Sequence, residues 1–120
     1  MTKTGTMPEQ GDLVLIPVPF TDLSAQKRRP VIVISSDAYN RRGLDLIVVA
    51  MTSNPGTSQY SFQIVSSDLV QGALNRPGLV RVDKIYTLAQ SLVVKKFGKV
   101  SPQIMSRIRQ TFNAITAPKP

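Results

Sequence analysis

Apolar residues fall along the chain in short runs with the length and bounds of β-strands. Residues 13–18 are apolar on both faces, which predicts a buried strand, and Pro17 and Pro19 push its far end toward an edge or bulge. Residues 31–34 form a second, β-branched run, 44–51 a third that is nearly all apolar and therefore central, and 62–65 a fourth. The fifth, 78–88, alternates: Val80, Val82 and Tyr86 point one way, Leu79, Arg81, Asp83 and Ile85 the other. Residues 92–97 make a sixth.

After Gly98 the period changes. Ser101 reads as an N-cap and Pro102 as the first helical position, and Ile104, Met105, Ile108, Phe112 and Ile115 recur at helical spacing. Arg107 and Arg109 lie off that stripe and are expected to face water. Between the runs lie polar stretches: a loop over 20–30, a basic turn over 39–43, a hydroxyl-rich and amide-rich loop over 52–58, and a connection over 66–75 with a helical turn near Asp68. Six short strands and one terminal helix, with no long crossover helices, predict a mainly β chain folded as a small, strongly bent antiparallel barrel. One domain over 11–116 is expected, with a loose arm over 1–10 and a tail over 117–120.

Composition narrows the chemistry. The 120 residues contain no cysteine and no histidine, so thiol nucleophiles, disulfides, thiolate or imidazole metal ligands and an imidazole base are all excluded. No run nears the about 18–20 apolar residues of a membrane span, and the first ten residues have no apolar signal core, so a cytoplasmic protein without membrane contact is expected. A net charge of +8 in so small a domain points to a polyanionic partner, with nucleic acid first. An acidic protein would meet the same charges.

Those cations cluster at Lys27-Arg28-Arg29 and at Arg41-Arg42, and both clusters suit a nucleic-acid backbone, to which they add affinity without sequence choice. Ser53, Asn54 and Gln59, in or beside the loop after the central run, carry groups that can read base edges. Arg81 and Asp83 set a cation beside a carboxylate on one strand face, which fits either a site or a plain ion pair at the rim of the sheet.

Taken together, Gly11-Asp12 opening a strand, Lys27-Arg28-Arg29-Pro30 leading into Val31-Ile32-Val33-Ile34, Val49-Ala50-Met51-Thr52-Ser53, and Gly78-Leu79-Val80-Arg81-Val82-Asp83 form an ordered set. In that set, over about residues 10–116, the chain resembles the MazF/PemK (Kid) family of toxin endoribonucleases. The resemblance implies an SH3-like barrel of the PemK/CcdB kind and a homodimer. It implies cleavage of single-stranded RNA to a 2′,3′-cyclic phosphate and a 5′-hydroxyl without a metal or other cofactor, and an acidic antitoxin as partner.

The family's catalytic arginine falls on Arg29, its catalytic threonine on Thr52, and the arginine and aspartate of the Kid branch on Arg81 and Asp83. In that chemistry Arg29 and Arg81 clamp phosphoryl oxygens, Thr52 donates a hydroxyl, and Asp83 is either the base or the group that orients Arg81. Kid-like members carry a histidine in the first loop that is absent here. RNA sequence choice is expected to rest on the loops 55–60 and 22–27. Two other readings compete: a CcdB-like toxin that binds gyrase, whose tryptophan-containing apolar C-terminus is not matched by Thr116 to Pro120, and an RNA-binding module without catalysis.

Overall fold

The structure, a computed structural model, describes residues 7–18, 27–53 and 58–120. Seven antiparallel strands form one curled sheet: β1 (Asp12–Val18), β2 (Lys27–Val33), β3 (Asp45–Thr52), β4 (Ser61–Ile64), β5 (Leu69–Gly72), β6 (Gly78–Ala89) and β7 (Lys95–Val100). Their order across the sheet is β4-β6-β3-β2-β1-β7-β5. Among the described residues two α-helices accompany the sheet, α1 (Asp37–Arg42) and α2 (Pro102–Ile115). The bent, mainly β architecture agrees with the sequence reading, and it holds one more strand. Among the described residues no helix is long and apolar enough to cross a membrane.

The strands that read as apolar on both faces are the inner ones. Leu13, Ile32 and Val49 pack on one face with Val80, Val82 and the α2 residues Ile104, Met105 and Ile108. Their chain neighbours Val14, Val31 and Val48 pack on the other face with Leu46 and Leu88. Each such side chain contributes on the order of 1.5–3 kcal/mol by leaving water. The edge strands β4 and β5 have four residues each, and β5, Leu-Val-Gln-Gly, is mostly exposed and too short to show an alternating pattern, so its run carried no strand signal.

β6 departs from plain alternation. Val49 and Ala50, adjacent in β3, face Ile85 and Arg81, so Val82, Asp83 and Lys84 have no partner in β3. An odd number of unpaired residues reverses the faces beyond it. Tyr86 therefore lies opposite Val48, against the second cluster, and not on the face of Val80 and Val82 as strict alternation expects.

Other boundaries shift for local reasons. β2 starts at Lys27 because the basic residues pair with the end of β1, Arg29 opposite Ile16 and Arg28 opposite Pro17. Ser36 caps α1 by accepting from the Tyr39 amide at 3.1 Å, so the basic turn is a short helix. Buried Gln90 holds α1 in place: its Nε2 donates to the carbonyls of Asn40 (2.6 Å) and Asp45 (3.1 Å). The last strand begins at Lys95, since 90–92 form a 3-10 turn.

At the start of β1, Gly11 sits at φ +93°, and buried Asp12 accepts from the Glu9 amide at 2.9 Å and faces Lys96 at 3.2 Å. Ser101 and Pro102 begin α2 as expected, and its apolar stripe covers the sheet. Arg107 is exposed yet does more than face water, because its guanidinium lies 4.1 Å over the Phe62 ring. Ile108 is almost fully buried. Urea denaturation should find Ile108→Ala less stable by about 2–5 kcal/mol, and exposed Arg109→Ala within about 0.5 kcal/mol of the parent.

Candidate functional site

The β2–β3 pair frays into a polar rim. Pro30 has no N–H to give, and β2 pairs with β3 only over Val31 to Val33. That register, continued by two residues, sets Arg29 across from Thr52. On the other side of β3, Thr52 faces Leu79 and Ala50 faces Arg81, which in turn faces Ser61 of β4. Residues paired across strands share a face, so Arg29, Thr52 and Arg81 belong to one face at one end of the sheet.

Arg28, Arg29, Thr52 and Ser53 line one side of an open cleft of about 370 Å³. The connection from β5 to β6 supplies the opposite side with Asn75, Arg76 and Pro77, and Leu15, Met51, Leu74 and Phe97 add apolar surface. Among the described residues no acidic side chain lines it. The connection is fastened at both ends. The Ser66 hydroxyl accepts from the Leu74 amide at 2.8 Å and donates to the Leu74 carbonyl at 3.1 Å. Gly78 fits tightly over Met51, whose Sδ would lie 2.6 Å from any added Cβ.

Arg81 and Asp83 stand beside the cleft and do not line it. The Arg81 fork donates from Nε to Oδ1 and from Nη2 to Oδ2 of Asp83, both at 3.0 Å. This hydrogen-bonded pairing pushes the Asp83 carboxyl below the ordinary range and raises Arg81. Two of the five guanidinium N–H groups are thus used, and the other three remain for a ligand. The side chains are 28% and 30% exposed, so the pair is a half-open rim pair and not a core one.

The remaining candidates fall in several places. Lys27 is exposed at the start of β2, and Gln59 is exposed in the turn that leads into β4. Arg41 and Arg42 lie on α1, which joins the other ends of β2 and β3, so they are distant from the cleft along the strands. Arg42 borders a separate hollow with Tyr39 and Leu44. Asn54 lies outside the described residues, as do 19–26 and 54–57, where much of the expected specificity loops falls. Among the described residues no three acidic, histidine or cysteine side chains converge as metal ligands would.

Sequence reasoning passed over Asn75, Arg76 and Phe97. The available signal was a repeated dipeptide: arginine directly precedes proline at Arg29-Pro30 and again at Arg76-Pro77.

A family model of PemK-like, MazF-like toxins of type II toxin–antitoxin systems matches residues 9–116. The chain belongs to that family. No curated protein sequence matches it with significance. Among solved structures, an endoribonuclease from a mycobacterial species is similar at 24% identity with a TM-score of 0.73, over 98% of this chain and 100% of that one. A mycobacterial endoribonuclease in complex with its cognate antitoxin is similar at 24% identity and TM-score 0.69, over 94% and 99%. A MazE–MazF complex from Deinococcus radiodurans is similar at 17% identity and TM-score 0.73, over 96% and 100%. These likenesses establish the fold of this PemK-like chain.

The Arg81–Asp83 pair carries a pH signature. A carboxyl held below its ordinary value of 3.8 stabilises the fold above that value, and the contribution disappears as the pH falls through the lowered one. Solvent screening keeps the effect small at a half-open site. The melting-temperature difference between the parent and Asp83→Asn should therefore be larger at about pH 7 than at about pH 2. An equal difference at both pH values would show that ionisation of this pair contributes nothing.

Proposed function

We infer that this PemK-like chain is an endoribonuclease that cuts single-stranded RNA at short sequences without a metal ion, and that it inhibits growth until an antitoxin neutralises it. The observation that supports this most is the cleft that joins Arg28, Arg29, Thr52 and Ser53, with no acidic lining among the described residues. Such a receptor favours a phosphodiester.

In the reaction the ribose 2′-oxygen attacks the adjacent phosphorus and the bond to the 5′-oxygen breaks. The products are a 2′,3′-cyclic phosphate and a 5′-hydroxyl. The 2′-proton is lost to water, and the departing 5′-oxygen takes a proton from water. Arg29 and Arg81 neutralise charge on the phosphoryl oxygens, and the Thr52 hydroxyl donates to the same centre. Asp83 is the orienter of Arg81. A carboxylate held low by an arginine is a weak base, since efficient bases titrate near the working pH.

The chain works as a homodimer whose RNA groove spans both subunits. Its antitoxin presents an extended acidic segment over Arg28, Arg29, Arg41 and Arg42, and charge complementarity supports that partner. Lys27, Ser53, Asn54 and Gln59 are further RNA contacts in this reading.

Purified protein incubated with long RNA in EDTA should give fragments with cyclic-phosphate ends. Intact RNA would overturn this reading and favour a binding-only or gyrase-directed toxin. Arg29→Ala and Thr52→Ala should each lower the cleavage rate by about 10²-fold or more with unchanged circular dichroism. Asp83→Asn should keep more than about a tenth of the parent rate, as an orienting group does and a general base does not. Light scattering at micromolar concentration should give a dimer mass, and antitoxin affinity should fall steeply with salt; a monomer, or affinity indifferent to salt, would contradict the assembly.

A further inference from the structure

Arg76 is the cleft cation that the family pattern does not account for. It is exposed, and among the described residues it makes no hydrogen bond or ion pair. Its backbone is nevertheless well determined. Pro77 restricts the residue before it to extended conformations, the Ser66 hydroxyl clamps Leu74 two residues earlier, and Gly78 is seated on Met51. A guanidinium without a carboxylate partner is thus presented by a braced segment to the same cleft as Arg29, from the opposite side.

The same cleft also carries apolar surface, to which the half-buried Phe97 contributes. Phe97 reaches that position through a bulge: Leu13 and Val14 of β1 face Gly98 and Lys96, so Phe97 has no partner in β1. Two cationic segments and an aromatic ring in one cleft suit the phosphates and a base of a single strand.

We propose that Arg76 grips the RNA phosphate adjacent to the scissile one, so that the strand crosses the cleft from the β2–β3 rim to the β5–β6 connection with one base over Phe97. This rests on the RNA-cleaving reading of the same cleft. The planar fork takes two phosphate oxygens at once, which fixes the direction of the strand as well as attracting it.

The test separates grip from cleavage. A fluorescent, mixed-sequence single-stranded RNA carrying 2′-O-methyl groups cannot cyclise, and its binding is measured across a range of salt concentrations. Arg76→Ala should weaken Kd roughly tenfold or more and lower the slope of log affinity against log salt by about 0.7. Arg76→Lys should keep the slope and lose several-fold in affinity, because a point charge replaces a fork. Arg109→Ala, which removes an equal charge from α2 outside the cleft, should change neither. Arg76→Gln takes the place of the alanine variant if that one melts early.

Parent-like affinity and slope in Arg76→Ala would overturn the proposal, as would an equal loss in Arg109→Ala. If the parent cuts unmodified RNA while Arg76→Ala binds like the parent, the grip falls alone. If the parent leaves unmodified RNA intact while the Arg76 effect on affinity and slope persists, the cleavage reading falls and the phosphate contact stands.

Discussion

Three residues of β6 with no partner in β3 decide how this sheet is used. Because Val82, Asp83 and Lys84 are odd in number, the strand presents Val80 and Val82 to the α2 side of the sheet and Tyr86 and Leu88 to the opposite side. One twelve-residue strand thereby supplies both hydrophobic clusters. The same interruption bends β6, and β4 pairs with its first part only, from Gly78 to Arg81. Asp83 stands at the bend, where it holds the Arg81 fork in place. Core, curvature and the posture of the Arg81 side chain all follow from that local miscount.

The site uses the ends of strands, where pairing runs out. Pro30 ends the β2–β3 ladder and leaves Arg29 beside Thr52 without a hydrogen-bonded rung between them, and the β5–β6 connection closes the cleft from the far side. Each side owes its position to packed apolar residues directly behind it, Val31 on one and Leu74 on the other. The polar groups are therefore held at fixed places before a ligand arrives, and less conformational entropy is lost on binding.

Much of this was legible in the sequence, for reasons that differ by element. α2 was readable because its cap, its proline and its apolar spacing are all local. β1 and β3 were readable because a strand buried on both faces needs apolar residues at both parities. β5 was not, since four mostly exposed edge residues ending in glycine owe their strand conformation to pairing with β7. The reversal in β6 was invisible for the same reason: only the register with β3 reveals which residues lack partners. Arg29 and Thr52 were found through their motif setting, whereas Arg76 lies 47 positions from Arg29 by residue number and joins it only through the closure of the sheet. α1 left a fainter trace in Ser36 and Asp37, a cap and a first-turn acid that also read as the end of a strand.

The buried amide of Gln90 has a consequence for how the molecule breathes. Six residues are too few for a helix to persist alone in water, so α1 owes its persistence to what holds it. Gln90 ties the Asn40 carbonyl of α1 and the Asp45 carbonyl of β3 to the end of β6. Opening α1 at that point breaks a bond to an amide that also secures the start of β3. The amide hydrogens of α1 and those at the β3–β6 end should then exchange with solvent as one slow unit, where an untethered turn of the same length would exchange almost freely.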